Sequence, residues 1–216
     1  MIARWHTDYP GLVAGSVYAA PPQRRGEFAA ELVEAGLGVH VDVMAESEGL
    51  PAGVSLDECR DISARVGPAR LEVHLIGSAE FTEDVLPALL DLQPARVFLP
   101  WAAFTARRAA EIRAAGATAW ITIWQEWSDR RRGQEPHWHA PPDGALVMLI
   151  EPGTSGHCRP ARLGIAASYA TWLPVIVDGG ITEDIAPLCV TAGVEAMVVG
   201  RALLAETAGT EIREMR

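Results

Sequence analysis

The sequence predicts a (β/α)8 barrel, in which eight parallel strands alternate with helices around one closed sheet. Three observations lead there. Short β-branched or apolar runs alternate with longer amphipathic segments, eight such runs fit into 216 residues, and polar side chains able to do chemistry recur at the ends of the runs.

Strands are expected near Leu12–Val17, Gly38–Met44, Arg70–Ile76, Arg96–Leu99, Ala119–Trp124, Ala145–Ile150, Pro174–Asp178 and Ala196–Val199. Helices are expected at Gln23–Ala35, Leu56–Val66, Thr82–Leu90, Phe104–Ala115 and Thr182–Ala192, where Glu, Arg and Ala alternate with apolar residues at helical spacing. Gly36, Gly67, Gly116 and Gly193 follow four of these as C-caps. The fifth unit is degenerate. Its stretch 125–143, QEWSDRRRGQEPHWHAPPD, has three prolines, an arginine run and no apolar stripe, so a short helix or a loop stands in for the fifth helix. The whole chain, 1–216, is expected to form one domain.

Composition narrows the function. With 28 acidic and 18 basic side chains the net charge is −10, which argues against nucleic acid or an anionic membrane surface as partner. A small anion remains compatible, because local backbone dipoles hold phosphate inside acidic proteins. All 18 basic residues are arginine, which excludes Schiff-base chemistry and a lysine general base. Cys59, Cys158 and Cys189 show no CxxC spacing and are expected as reduced thiols in a cytoplasmic protein. The N-terminus lacks the apolar core of a secretory signal, and no apolar run reaches membrane-spanning length.

The segment HVDVM, His40 to Met44, places His40, Asp42 and Met44 on one side of a strand, since side chains alternate with period two. A buried strand with a satisfied His and Asp is the plain alternative. Ser16, His74 and Asp178 fall at or near other predicted C-terminal strand ends, where barrels of this kind build their sites. Two imidazoles (His40, His74) and two carboxylates (Asp42, Asp178) suit one divalent ion such as Zn, Mn, Fe or Co, and nitrogen donors disfavour Mg. His137 and His139 in HWH also have strand spacing for a metal pair, but their polar, proline-flanked setting reads as an exposed loop, and Arg130 to Arg132 read as solvated. A phosphate cradle is expected from three glycine-bearing loops. These are EPGTSGH (Glu151 to His157), DGG (Asp178 to Gly180) and VGRAL, where Gly200 leads into a last helix whose dipole would assist.

The segments HVDVM, VHLI (Val73 to Ile76), VMLIEPGTSG (Val147 to Gly156) and VDGGI (Val177 to Ile181) together resemble the successive signatures of ribulose-phosphate 3-epimerases, over roughly residues 12 to 204. VDGGI and VGRAL alone also occur in other phosphate-binding barrels. The resemblance implies a metal-dependent epimerase of a ketose phosphate, ribulose 5-phosphate/xylulose 5-phosphate or a related sugar phosphate, in a barrel of the ribulose-phosphate-binding type. It implies that His40, Asp42, His74 and Asp178 hold the metal and that Asp42 and Asp178 are also the acid/base pair. It places Ser16, Met44 and Met148 beside the substrate, with Gly153, Thr154, Ser155, Gly156, Gly179, Gly180, Gly200 and Arg201 in the phosphate-binding loops.

The chain departs from that pattern at several points. After Met44 the family continues with Asp-Gly and an apolar loop ending in Pro-Asn, whereas this chain reads Ala45, Glu46, Ser47, Glu48, Gly49, Leu50, Pro51. Glu151 replaces an Asn, Arg201 replaces a small residue and could contact phosphate directly, and Ile76 replaces a third methionine. A non-catalytic barrel that binds a phosphorylated ligand or a metal, and a different sugar-phosphate isomerase, stay open as alternatives. Five of the seven tryptophans lie between Trp101 and Trp138. They are read either as a subunit interface of a homo-oligomer or as core filling at strand ends.

Overall fold

The computed structural model describes residues 2–125, 138 and 140–204. It is a closed parallel barrel with strands β1 Val13–Ser16, β2 Gly38–Met44, β3 Leu71–Ile76, β4 Arg96–Pro100, β5 Thr118–Ile123, β6 Gly144–Met148, β7 Val175–Asp178 and β8 Ala196–Val199, in that order around the ring. β8 pairs with both β7 and β1 and closes the ring. The helices are α1 Arg25–Glu34, α2 Leu56–Val66, α3 Ala79–Leu90, α4 Ala106–Ala114, α5 Leu163–Tyr169 and α6 Ala186–Thr191. Among the described residues no helix is long and apolar enough to cross a membrane.

Strand alternation sorts the side chains into two layers. Val39, Val41 and Val43 of β2 and Leu71, Val73 and Leu75 of β3 point outward into the main core beneath the helices. The residues between them point into the barrel. Its interior is filled by Phe98, Trp120, Leu146, Met148, Ile176, Ala196 and Val198, a packed core rather than a pore. Gly144 makes room for the indole, since a Cβ there would lie 2.2 Å from Trp120 Cζ3.

Local signals account for the helix starts. Ser55 opens α2 with a reciprocal capping box, its hydroxyl accepting from Glu58 N–H at 3.2 Å while its own N–H donates to Glu58 Oε2 at 2.9 Å. Ser78 accepts from Phe81 N–H at 3.1 Å and begins α3 one turn before the expected Thr82. The four predicted cap glycines all have positive φ. Arg108 is 8% exposed and ties α4 to α3, donating to the carbonyls of Ala103 and Ala79 at 2.9 Å each and to Glu83 Oε2 at 2.8 Å. Arg108→Met should strand those carbonyls and lower the unfolding free energy by about 2–4 kcal/mol. A lower urea midpoint at unchanged slope is the expected readout.

Two expectations need correction. After Gly200 the described chain makes only a 3₁₀ turn, Arg201–Leu203, because Leu203 N–H bonds back to the Gly200 carbonyl at 2.9 Å. The expected helix N-terminus is therefore absent from the described residues there. Helix α5, which sequence periodicity did not reveal, follows β6. Of the fifth unit, His137, His139, Trp127 and Arg130 to Arg132 lie outside the described residues. Of the other four tryptophans of that region, Trp120 is buried and Trp101, Trp124 and Trp138 are half-buried against the core. Trp120 fills the barrel, Trp101 lies 5.8 Å from Trp138, and Trp124 lies beneath the Arg162 guanidinium at 4.1 Å.

Candidate active site and metal centre

The inward parity of β2, β3 and β7 carries His40, Asp42, His74 and Asp178 to one place near the strand ends. One ligand atom from each lies within 4.8 Å of those from the other three. The β2–β3 register sets Asp42 beside His74, and the β6–β7 register sets Asp178 beside Met148. His74 Nδ1 is 3.1 Å from Asp42 Oδ1, His40 Nε2 is 3.4 Å from the same oxygen, and Ser16 Oγ donates to Asp42 Oδ2 at 3.1 Å. His40 and His74 are buried, and neither ring nitrogen of His40 has a hydrogen-bond partner among the described residues.

The electrostatics are asymmetric. Burial would raise Asp42, yet the two imidazoles hold its carboxyl well below the usual carboxylate range. Burial and the Asp42 charge push Asp178 up to about 7, against the opposing pull of His40. Burial would lower His40, but Asp42, Glu72 and Asp178 around it push it up to about 10. His74 is lowered, chiefly by burial. Two nitrogen and two oxygen donors converge, His40, Asp42 and His74 buried and Asp178 half-buried, and with both nitrogens of one imidazole unpartnered they fit a divalent first-row cation.

The cluster lies at the floor of a cavity of about 880 Å³, a size suited to a small ligand. Ser16, Met44 and Met148 line it with Ile76, and so do Gly153, Thr154, Ser155, Gly156, Gly179, Gly180, Gly200 and Arg201. Every residue expected in the site from the sequence therefore borders the cavity or belongs to the cluster. The three glycine loops touch one another. Gly180 sits against the backbone of Gly156 to Cys158, and Arg201 Nη2 donates to the Gly156 carbonyl at 3.2 Å. Arg201 thus braces the cradle through a backbone carbonyl. Glu151 also borders the cavity and is exposed. Arg162 fixes the foot of the same loop, donating to the carbonyls of Met148 and of Trp124, the latter at 2.8 Å.

The acidic segment after Met44 lies beside the cavity, between the lining residues Met44 and Ala52. It forms a 3₁₀ turn at Glu46–Glu48, and Glu48 accepts from Ser78 N–H at 2.9 Å and from Ser78 Oγ at 2.6 Å, fastening the segment to the start of α3. Leu50 then reaches Gly153, where an added Cβ would lie 3.3 Å from its Cδ2. Arg25 was not anticipated in this region. It is 5% exposed, borders the cavity and donates to the Gly53 carbonyl at 2.9 Å.

The model of the ribulose-phosphate 3 epimerase family matches residues 12–204. No curated protein matches the chain in sequence. Solved barrels of similar shape include phosphoribosyl anthranilate isomerase from Thermus thermophilus (TM-score 0.60, 16% identity, 88% of each chain covered). The same enzyme from Thermococcus kodakaraensis gives a TM-score of 0.61 at 11% identity over 89% of each chain. Orotidine 5'-phosphate decarboxylase from Pyrococcus horikoshii OT3 gives 0.55 at 13% identity, over 91% of this chain and 96% of that one. At such identities these likenesses speak to the fold alone.

Proposed function

The chain belongs to the ribulose-phosphate 3 epimerase family, and from that premise we propose that it epimerises a ketose phosphate, a pentulose phosphate or a related sugar phosphate, by two-base proton transfer. The observation that carries this reading is the converging set His40, Asp42, His74 and Asp178, the first three buried, at the floor of a cavity whose rim is made of glycine loops.

Epimerisation next to a carbonyl removes a proton from one face of the carbon and returns one to the other, through an enediolate. Asp42 on β2 and Asp178 on β7 are the two proton-transfer groups, exchanging roles with the direction of reaction. With no ion bound, burial and the Asp42 charge raise the Asp178 carboxyl to about 7, which favours its holding a proton. Ser16 orients Asp42 by its hydrogen bond to Oδ2. Met44 and Met148 give the reacting carbon a polarisable wall with no competing base. The loops at Gly153 to Gly156, Gly179 to Gly180 and Gly200 to Arg201 receive the phosphate. A divalent ion held by the four donors would polarise the carbonyl and offset the enediolate charge.

The test is metal analysis of the purified protein, followed by deuterium uptake from D2O into a panel of ketose phosphates. Exchange at a single carbon is expected, lost on chelation and regained with Zn, Mn, Fe or Co. A metal-replete sample that binds a ketose phosphate without exchanging any proton would instead assign the barrel to binding.

A further inference from the structure

One step below the four-donor cluster lies a buried polar layer that the chemistry above does not use. The β2–β3 register sets His40 beside Glu72, and the β3–β4 register sets Glu72 beside Arg96. Inside a barrel otherwise filled by Phe98, Trp120 and aliphatic side chains, an ionised carboxylate requires partners. Glu72 is 6% exposed, and its Oε1 accepts a hydrogen bond from Arg96 Nη1. Arg96 in turn donates from Nη2 to Glu195 Oε1 at 2.8 Å and lies over the Trp120 ring at 5.2 Å.

Glu72 Oε2 is left over. It is buried without a hydrogen-bond partner among the described residues, and it faces His40 Nδ1, equally unpartnered, across 3.7 Å. Two buried polar atoms that face each other with nothing else to bond are complementary, and an approach of about half an ångström makes an ordinary hydrogen bond. The opposite nitrogen, Nε2, is on the Asp42 side of the ring. A proton on Nδ1 leaves the lone pair on Nε2.

We infer that Glu72 is the positioning residue of the cation site: it accepts a hydrogen bond from Nδ1–H of His40 and so presents Nε2 to an ion shared with Asp42, His74 and Asp178, while Arg96 and Glu195 hold the carboxylate in place. The inference rests on the cation-site reading given under the proposed function. A carboxylate behind a ligating histidine fixes its tautomer and ring angle and raises its basicity as a ligand. If Glu72 and Arg96 merely plugged the lower end of the barrel, their loss would reach stability and leave ion affinity alone.

The experiment is a Zn(II) titration of the full chain against a chromophoric chelator, wild type beside Glu72→Gln. The variant is expected to bind Zn(II) about 10–100-fold more weakly with an unchanged circular dichroism spectrum. Equal affinity in the two proteins overturns this inference and leaves the cation site standing. A wild type that takes up no Zn(II) overturns both. Should Glu72→Gln fail to fold, ¹⁵N NMR of the Zn(II)-loaded wild type decides without a variant. A protonated Nδ1 on His40 is expected, and a protonated Nε2 overturns the inference.

Discussion

Asp178→Asn should lower turnover by about two to four orders of magnitude and abolish deuterium incorporation into substrate, because under the proposed scheme it removes one of two proton-transfer groups. Stability measured in chelator should move the other way. Burial and the Asp42 charge raise the folded carboxyl from 3.8 to about 7, so the folded protein holds this proton more tightly than the unfolded chain. The stabilising effect of the protonated acid is complete below pH 3.8 and is lost as pH rises toward about 7. An amide of the same shape does not titrate. Relative to wild type, the variant should therefore gain melting temperature across that window and keep a constant lead above it. A variant that keeps full proton exchange overturns the two-base scheme. One that loses activity and melts early at every pH points to misfolding.

Gly180→Ala is expected to disable the proposed phosphate end while sparing the proposed cation cluster. An added Cβ would lie 2.4 Å from Cys158 N, 2.9 Å from His157 C and 3.0 Å from Gly156 O, at a φ of +65°. All three are backbone atoms, so no side-chain rotation relieves the clash and the β6–α5 loop has to move. Losing one charge-assisted backbone contact to phosphate costs about 1.5–3 kcal/mol, which corresponds to a KM raised about 10–100-fold. Zn(II) affinity should be unchanged. Gly116→Ala serves as the control, because its φ is +90° and nothing lies within 4 Å of the added Cβ. It should cost stability through backbone strain and leave KM alone. Equal KM in the two variants would remove the phosphate role from the Gly180 loop.

The parts of the site visible in the sequence are those set by strand parity. His40, Asp42 and Met44 on β2 and His74 on β3 alternate with valines and leucines, and that period alone turns them inward. The same parity applies to Glu72, which escaped notice because its meaning depends on register. Only the pairing of His40 with Glu72 shows that carboxylate and imidazole are neighbours. Arg96 was read simply as a strand start, and its ion pairs reach Glu72 and Glu195, the latter far away in sequence. Helix α5 was missed for a different reason. Its seven residues, LGIAASY, have no charged face to mark a helical period, and packing of Leu163, Ile165, Ala166 and Tyr169 stabilises it instead. The fastening of Glu48 to Ser78 joins exposed groups 30 residues apart, and no local pattern reports such a contact.

The pairing of β8 with both β7 and β1 bears on how this protein can meet other molecules. Each strand of the ring is flanked on both sides by hydrogen-bonded neighbours, so the described sheet offers no open row of N–H and C=O groups. Strand addition, by a peptide or by a second copy of the chain, has no template here. Self-association through the described residues has to use helix faces or loops, so its strength would follow side-chain burial, and breaking it would leave every ladder of the barrel intact.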